Sequence, residues 1–313
     1  MSVPLSVLST GLHLLNAAGF IMLAPGSALA DYISASVLYG IVSWVCLWVL
    51  PSVFEYRADR MHDLRSLQAT LAAGGVLVLL LTHPNTIGLL FALLLAVEVA
   101  AFLPHLMLYE ERTATFVRAD FSRGCLNSLA LLTAVLLFER QPVAYVAGLV
   151  LSLTTVAGTM AATGVPCAPL PRLRLDLRLL RVGLRAALTS LQFRQLMGAR
   201  LIEAATVLSL NFLGLLGPIL ALKLGNAAVQ AAAFNARRLS VPGAIVLGTL
   251  LYAAGMVVIL AANALAPALA PRSLQLIGPG EALVVVPPLI AMLVLTVLSI
   301  RPRGHTSSVA AAR

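Results

Sequence analysis

Charged residues are scarce in this chain of 313 residues: they make up 11% of it, whereas 60% of the residues are hydrophobic. The mean hydropathy is +0.98, which lies far outside the range of soluble globular domains. The composition therefore excludes a soluble enzyme or binding domain. It predicts an all-α, polytopic integral membrane protein.

Lysine is almost absent, since Lys223 is the only one, and arginine supplies nearly all of the net charge of +9. In a soluble protein such a surplus would indicate a nucleic acid partner. Here most arginines lie between apolar runs, where the positive-inside rule explains them. No nucleic acid partner is predicted.

Cysteine and histidine are few and scattered, so a metal site or a disulfide is not expected. The three cysteines and five histidines are Cys46, Cys125, Cys167, His13, His62, His83, His105 and His305. The sequence also contains no phosphate-cradling glycine loop and no constellation typical of an activated nucleophile. We therefore predict no cofactor and do not favour an enzyme.

The apolar runs predict a six-helix first lobe at residues 1–165. Arginines are concentrated in the loops after the second, fourth and sixth runs, which predicts a cytoplasmic N-terminus. Residues 28–30 imitate a signal-peptidase site, but the preceding segment has no lysine or arginine, so a retained first span is favoured over a cleaved one. The predicted spans are 4–23, 31–54, 66–82, 86–108, 124–138 and 143–162.

The second lobe, residues 199–300, is shorter, and its span count has two readings. One span is predicted at 199–222, followed by a turn at 223–226 and a second span at 229–245. A further apolar run extends to about residue 265, and a last span covers 283–300. Ten spans in all place the tail at 301–313 in the cytoplasm; nine spans place it outside. The positive-inside rule favours ten.

A basic connector at residues 166–198 joins the two lobes. Arg174, Arg178, Arg181 and Arg185 recur at helical spacing, and four leucines repeat the same steps one residue earlier. An arginine face beside a leucine face is typical of a helix at an anionic membrane surface. Anionic phospholipids are thus predicted partners; the alternative is a basic loop that only sets topology.

A weak internal repeat accompanies a family resemblance. At an offset of 199 residues, Gly26 aligns with Gly225, and Asp31 with Gln230. The segment LAPGSALADY, the basic loop after the second helix and the charged segment YEERTATFVRADFSR resemble polysaccharide flippases. These flippases belong to the multidrug/oligosaccharidyl-lipid/polysaccharide exporter superfamily, whose members carry twelve to fourteen helices. This chain would be a relative with a shortened second lobe.

The resemblance implies a transporter that moves a lipid-linked oligosaccharide or polysaccharide precursor across the bacterial inner membrane for surface polysaccharide synthesis. Alternatives are a non-transporting scaffold of an exopolysaccharide complex and a membrane glycan polymerase or ligase. The implied partners are a polyprenyl-diphosphate-linked glycan and either a homodimer partner or a synthesis complex.

Such a transporter requires cations and amides around a lumen shielded from lipid. Arg237 and Arg238 are expected about 12–14 Å into the membrane, if a helix runs from residue 229. Glu98 and Asp31 are candidates for ion coupling, and Arg200 with Glu203 is expected to form an ion pair. The remaining lumen candidates are Asn235, Gln230, Arg200, Arg194, Asn127, His105 and Asn211.

Overall fold

A computed structural model describes residues 2–23, 26–50, 61–103, 113–165, 178, 181–182, 185, 188–235, 240–265 and 279–299. All regular secondary structure in these ranges is helical. The helices of the first lobe are α1 (Ser2–Leu23), α2 (Gly26–Trp44), α3 (Met61–Thr82), α4 (Thr86–Ala101), α5 (Thr113–Leu137) and α6 (Pro142–Ala162). Those of the second are α7 (Leu191–Phe212), α8 (Leu216–Asn235), α9 (Val241–Leu265), α10 (Pro279–Val284) and α11 (Val286–Ser299).

The all-helical prediction is confirmed for the described residues, and the apolar helices fit a multi-pass membrane protein. Four stretches are long and apolar enough to cross a membrane: Leu29–Leu47, Met61–Thr82, Ala114–Leu137 and Pro142–Ala162. Three shorter apolar helical stretches are Thr86–Ala101, Val241–Val257 and Val286–Ser299. A helix rises about 1.5 Å per residue, so the longer four match a hydrocarbon core of about 30 Å.

Local sequence signals explain several helix ends. Asn85 caps α4 because its side chain accepts a hydrogen bond from the Gly88 backbone N–H at 3.0 Å, and Ser190 caps α7 in the same way. Proline occupies the start of α6, where its missing N–H costs nothing. The α7–α8 turn contains Gly214 at φ 71°, a conformation that glycine adopts without steric cost.

The core of the first lobe is aromatic. Phe20 of α1 stacks on Tyr145 of α6 with ring centroids 4.3 Å apart, and it also contacts Tyr32 of α2 at 4.8 Å. Phe91 of α4 lies 5.7 Å from Tyr32 and 5.4 Å from Tyr39. These rings tie four helices together, and such pairs add to the stabilisation from burial alone.

The first two helices of each lobe pack against the first two helices of the other lobe. Helix α1 packs against α8, and α2 packs against α7, while α1 also packs on α5 and α7 on α11. This reciprocal pairing is typical of repeats related by a pseudo-two-fold axis. The chain distance from Ser2 to Leu191 is 189 residues, and from Gly26 to Leu216 it is 190.

The predicted repeat register was therefore wrong. Gly26 begins α2, but Gly225, its supposed counterpart, lies inside α8. A Cβ atom at Gly225 would lie 2.1 Å from Cδ2 of Leu289 on α11, so this glycine allows close helix packing rather than a turn. Small residues serve both purposes in membrane helices, which is why the sequence pattern misled.

Other predicted boundaries also shift. The charged segment at 113–123 is not a loop, because α5 begins at Thr113 rather than at residue 124. The single span predicted at 199–222 is two helices, α7 and α8, which meet at the turn around Gly214. The boundary predicted before residue 199 falls inside α7, which begins at Leu191. No helix runs across 229–245: α8 ends at Asn235, and α9 begins at Val241.

Candidate functional site

A charged cluster lies where α7 and α8 face α2. Arg200 and Glu203, one turn apart on α7, form an ion pair, as the sequence predicted. Lys223 of α8 brings its Nζ within 3.6 Å of the same carboxylate, and the side-chain amide of Asn226 donates to Glu203 Oε1 at 2.5 Å. Two cations and one buried anion leave the cluster with one net positive charge.

Helix α2 of the other lobe forms the opposite wall of this cluster. Residues Ser36, Val37, Gly40 and Ile41 line a small cleft together with Arg200, Glu203, Ala204, Val207 and Lys223. The volume of the cleft is about 20 Å³, which is room for little more than a water molecule. The cleft is thus an inter-lobe site that is too small for a larger ligand.

Near the C-terminal end of α2, the α2–α7 contact is aromatic and cationic. The guanidinium carbon of Arg200 lies 5.4 Å from the centre of the Trp44 ring, within the range of a cation–π contact. Trp44 also packs with Phe193, Leu196 and Met197 of α7. At the other end of the same pair of helices, the Asn211 amide donates to the Ala30 carbonyl at 3.3 Å. The two lobes are therefore in contact along the length of α2.

The first lobe contains its own buried ionic network. Glu98 of α4 accepts hydrogen bonds from Tyr39 at 2.5 Å and from Ser43 at 2.6 Å, both on α2. Its second oxygen lies 3.0 Å from Nη1 of Arg123 on α5. The carboxylate of Glu98, a predicted ion-coupling residue, thus accepts hydrogen bonds from three side chains and joins three helices.

A second polar ladder runs between α1 and α5. Ser9 donates to Asp120, and His13 Nε2 lies 3.3 Å from Asp120 Oδ1 without the alignment of a hydrogen bond. The Asn16 amide donates to the Gly124 carbonyl at 2.9 Å. Asn127, a predicted lumen residue, lies in this ladder with its amide 3.5 Å from His13 Nδ1, away from the inter-lobe cleft.

Arg65 is the largest side chain in the chain's described part that is almost fully buried, at 1% exposure. Its guanidinium donates to the carbonyls of Val99 and Ala100 at 2.8 and 3.0 Å, at the C-terminal end of α4. A cation suits the negative end of a helix dipole. Arg65 also donates to Gln68, whose amide donates to the Cys46 carbonyl inside the π-helical segment Val45–Val49 that continues α2.

Asp31, the other predicted coupling residue, lies at the opposite end of α2. It is exposed and accepts a hydrogen bond from the Asn85 amide at 2.7 Å. Nearby, buried His83 has the Ser34 hydroxyl 2.8 Å from Nε2 and the Thr82 hydroxyl 3.0 Å from Nδ1. Asp31 thus fastens the α3–α4 turn to α2.

The structure brings only some of the predicted site residues together. Arg200 belongs to the inter-lobe cluster, and exposed Gln230 lies one turn beyond Asn226 with its amide 3.4 Å from that side chain. Arg194 is exposed in the first turn of α7. Arg178, Arg181 and Arg185 are helical and exposed. Arg174, His105, Arg237, Arg238 and the Asn235 side chain lie outside the described residues.

The predicted depth of Arg237 and Arg238 has to be corrected. The argument required a helix that carries them from residue 229 to the membrane centre, but α8 begins at Leu216 and ends at Asn235. Because residue 229 lies inside α8 and not at its start, the depth counted from that residue does not apply. Lys223 lies near the middle of α8, whereas the sequence pattern predicts a turn at that position.

Arg65, Asp120 and Arg123 were not predicted as site residues, since the sequence pattern places each of them inside a charged loop. Within the described residues, no three His, Cys, Asp or Glu side chains are grouped so that they could hold a metal ion. The inter-lobe cluster instead has the chemistry of an anion site, because Arg and Lys both bind phosphate or carboxylate oxygens. Comparison of the chain with family models, curated proteins and solved structures finds no match.

Proposed function

We propose that this chain is a membrane transporter that carries a lipid-linked oligosaccharide or polysaccharide precursor across the bacterial inner membrane, with its N-terminus in the cytoplasm. The single observation that carries this proposal is the cationic cleft between α2, α7 and α8. It combines an inter-lobe position with a charge that suits a diphosphate. The resemblance to polysaccharide flippases supports the same substrate class.

The depth of the cluster supports a transport role. Arg200 stands nine residues after the start of α7 and Lys223 seven after the start of α8. At about 1.5 Å per residue, both lie about 10–14 Å from a helix end, near the middle of a bilayer. Ionisable groups at that depth cost about 2.5–3.5 kcal/mol on insertion scales, so they are seldom retained without a partner or a function.

The mechanism we propose is alternating access. The closed cleft is too small for a diphosphate, so the substrate enters only when the lobes separate along the α1–α8 and α2–α7 contacts. Phosphate oxygens then compete with Glu203 for Arg200 and Lys223. Closure on the other side restores the ion pairs with Glu203 and releases the anion. Rigid-body motion of one repeat against the other is the common mode for transporters built this way.

The helix bounds also favour the even-numbered topology. In the proposed topology the segment between the described parts of α8 and α9, which contains Arg237 and Arg238, faces the cytoplasm, as the positive-inside rule requires. Helices α10 and α11 then form the last crossing, which returns Arg301 and Arg303 to the cytoplasm.

The test of the proposed function is a leaflet assay in cells. Deletion of the gene is expected to leave polyprenyl-linked intermediates on the inner leaflet and to reduce surface polysaccharide. Arg200→Gln with Lys223→Gln is expected to reproduce that defect, whereas Arg118→Gln, on an exposed face of α5, is not. Loss of complex assembly without a leaflet defect would instead indicate a scaffold. Loss of glycan polymerisation or ligation in isolated membranes would indicate an enzyme.

A further inference from the structure

The basic connector before α7 exposes one mixed face. The described helical positions 178, 181, 182, 185, 188 and 189 are all exposed. At 100° per residue they fall within an arc of about 120° on a helix. Arg178, Arg181 and Arg185 supply the charge of this connector face, and Val182 and Leu188 supply its apolar area.

The exposed apolar residues of the connector face favour a lipid partner over a purely electrostatic one. Val182 is 65% exposed and Leu188 61%, so the same face that carries the cations also shows large hydrocarbon side chains. A purely electrostatic partner, such as free phosphate or a nucleic acid, gains nothing from those two residues. A lipid headgroup layer offers anionic phosphates and, just beneath them, hydrocarbon.

The position of the connector face fits the same partner. Arg185 precedes Leu191, the first residue of α7, by six residues, and Ser190 between them is in an extended conformation, so the two residues are at most about 20 Å apart. In the proposed topology α7 begins at the headgroup layer, so this short connection keeps Arg185 near the lipid phosphates. Near such a surface arginine is attracted and is not merely tolerated.

We propose that the connector face binds anionic phospholipid headgroups of the cytoplasmic leaflet, with Arg178, Arg181 and Arg185 contacting phosphates and with Val182 and Leu188 inserted between the lipids. The site fastens the linker between the lobes to the membrane surface. It does not depend on what the chain transports. It also explains why the charge of this segment is arranged at helical spacing, which a loop that only sets topology does not need.

The experiment measures lipid binding to the purified full chain in detergent by native mass spectrometry, with phosphatidylglycerol as probe and phosphatidylcholine as neutral control. Phosphatidylglycerol is expected to bind more tightly. Each arginine contributes about fivefold near an anionic surface, so the triple change Arg178→Gln, Arg181→Gln and Arg185→Gln is expected to weaken binding by about a hundredfold. The triple lysine variant keeps the charge and is expected to stay within a few-fold of wild type.

Three comparisons separate a lipid site from other outcomes. Val182→Ser with Leu188→Ser is expected to weaken phosphatidylglycerol binding, and inorganic phosphate is expected not to displace the lipid. If the triple glutamine variant does not fold, salt provides the same test on wild type, because about 1 M salt shortens the Debye length to about 3 Å and is expected to release the lipid. Unchanged phosphatidylglycerol binding by a folded triple variant, or an equal loss in Arg118→Gln, would overturn the proposal. Displacement by phosphate would likewise overturn it.

Discussion

The Glu98–Arg123 pair offers the most quantitative prediction. Their side chains are only 10% and 19% exposed, and they lie 3.0 Å apart between α4 and α5. Glu98→Gln keeps the volume and leaves an amide oxygen for Tyr39 and Ser43, so what it removes is the counter-charge of Arg123. Removing one member of a buried ion pair costs about 3–5 kcal/mol. We expect a loss of that size in the free energy of unfolding.

The assay is equilibrium unfolding of the purified chain in one fixed detergent or lipid mixture, as a double-mutant cycle with Arg123→Gln. Because the second change removes the charge that the first left uncompensated, the double variant is expected to be about as stable as either single one. The coupling energy is then as large as the loss in one single variant, about 3–5 kcal/mol. Glu139→Gln, at an exposed carboxyl, is the control and is expected to change stability by less than about 0.5 kcal/mol. Additive losses, or a single variant as stable as wild type, would refute the reasoning.

Three further predictions concern the second lobe and the connector. Gly225→Ala is expected to destabilise the chain, because the added Cβ would overlap Leu289. The control Gly198→Ala is expected to be neutral or stabilising, because its Cβ would meet its nearest neighbour at 3.6 Å. Equal thermal stabilities of the two variants would contradict the packing role of Gly225. Arg237→Gln with Arg238→Gln is expected to leave export at the wild-type level, and lost export from a correctly inserted protein would return these arginines to the lumen. A single cysteine at position 178 in a cysteine-free chain is expected to react with an impermeant thiol reagent only from the cytoplasmic side, and labelling from outside would invert the topology.

Composition and periodicity were sufficient for the helical class and for most of the first lobe. Helices α1, α3 and α6 follow apolar runs flanked by turn residues or charges, so their positions were readable. Helix α5 was not, since its first eleven residues carry Arg118, Asp120 and Arg123 and therefore have the composition of a loop. Asp120 and Arg123 are accommodated because partners on α1 and α4 face them, which only the tertiary structure shows.

The sequence predicted only part of the candidate site, because the partners on neighbouring helices are visible only in the tertiary structure. The spacing of Arg200 and Glu203 indicated their pairing, because residues three apart share a helix face. Lys223 was missed, since Gly225 and Asn226 beside it are typical of a turn. Within α8 that glycine instead allows the approach of α11, and Asn226 donates to Glu203. A pattern of small and polar residues does not distinguish a turn from a tightly packed helix crossing.

We propose that the cationic cleft binds the diphosphate of a lipid-linked glycan while the chain moves it across the membrane. The most direct test is the transbilayer movement of a fluorescent polyprenyl-diphosphate glycan in liposomes that contain only this protein, followed by quenching of the label in the outer leaflet. We predict that wild type and Arg118→Gln accelerate this movement and that Arg200→Gln with Lys223→Gln, reconstituted at the same density, does not. Liposomes with folded wild-type protein that move the lipid no faster than protein-free liposomes would contradict the account.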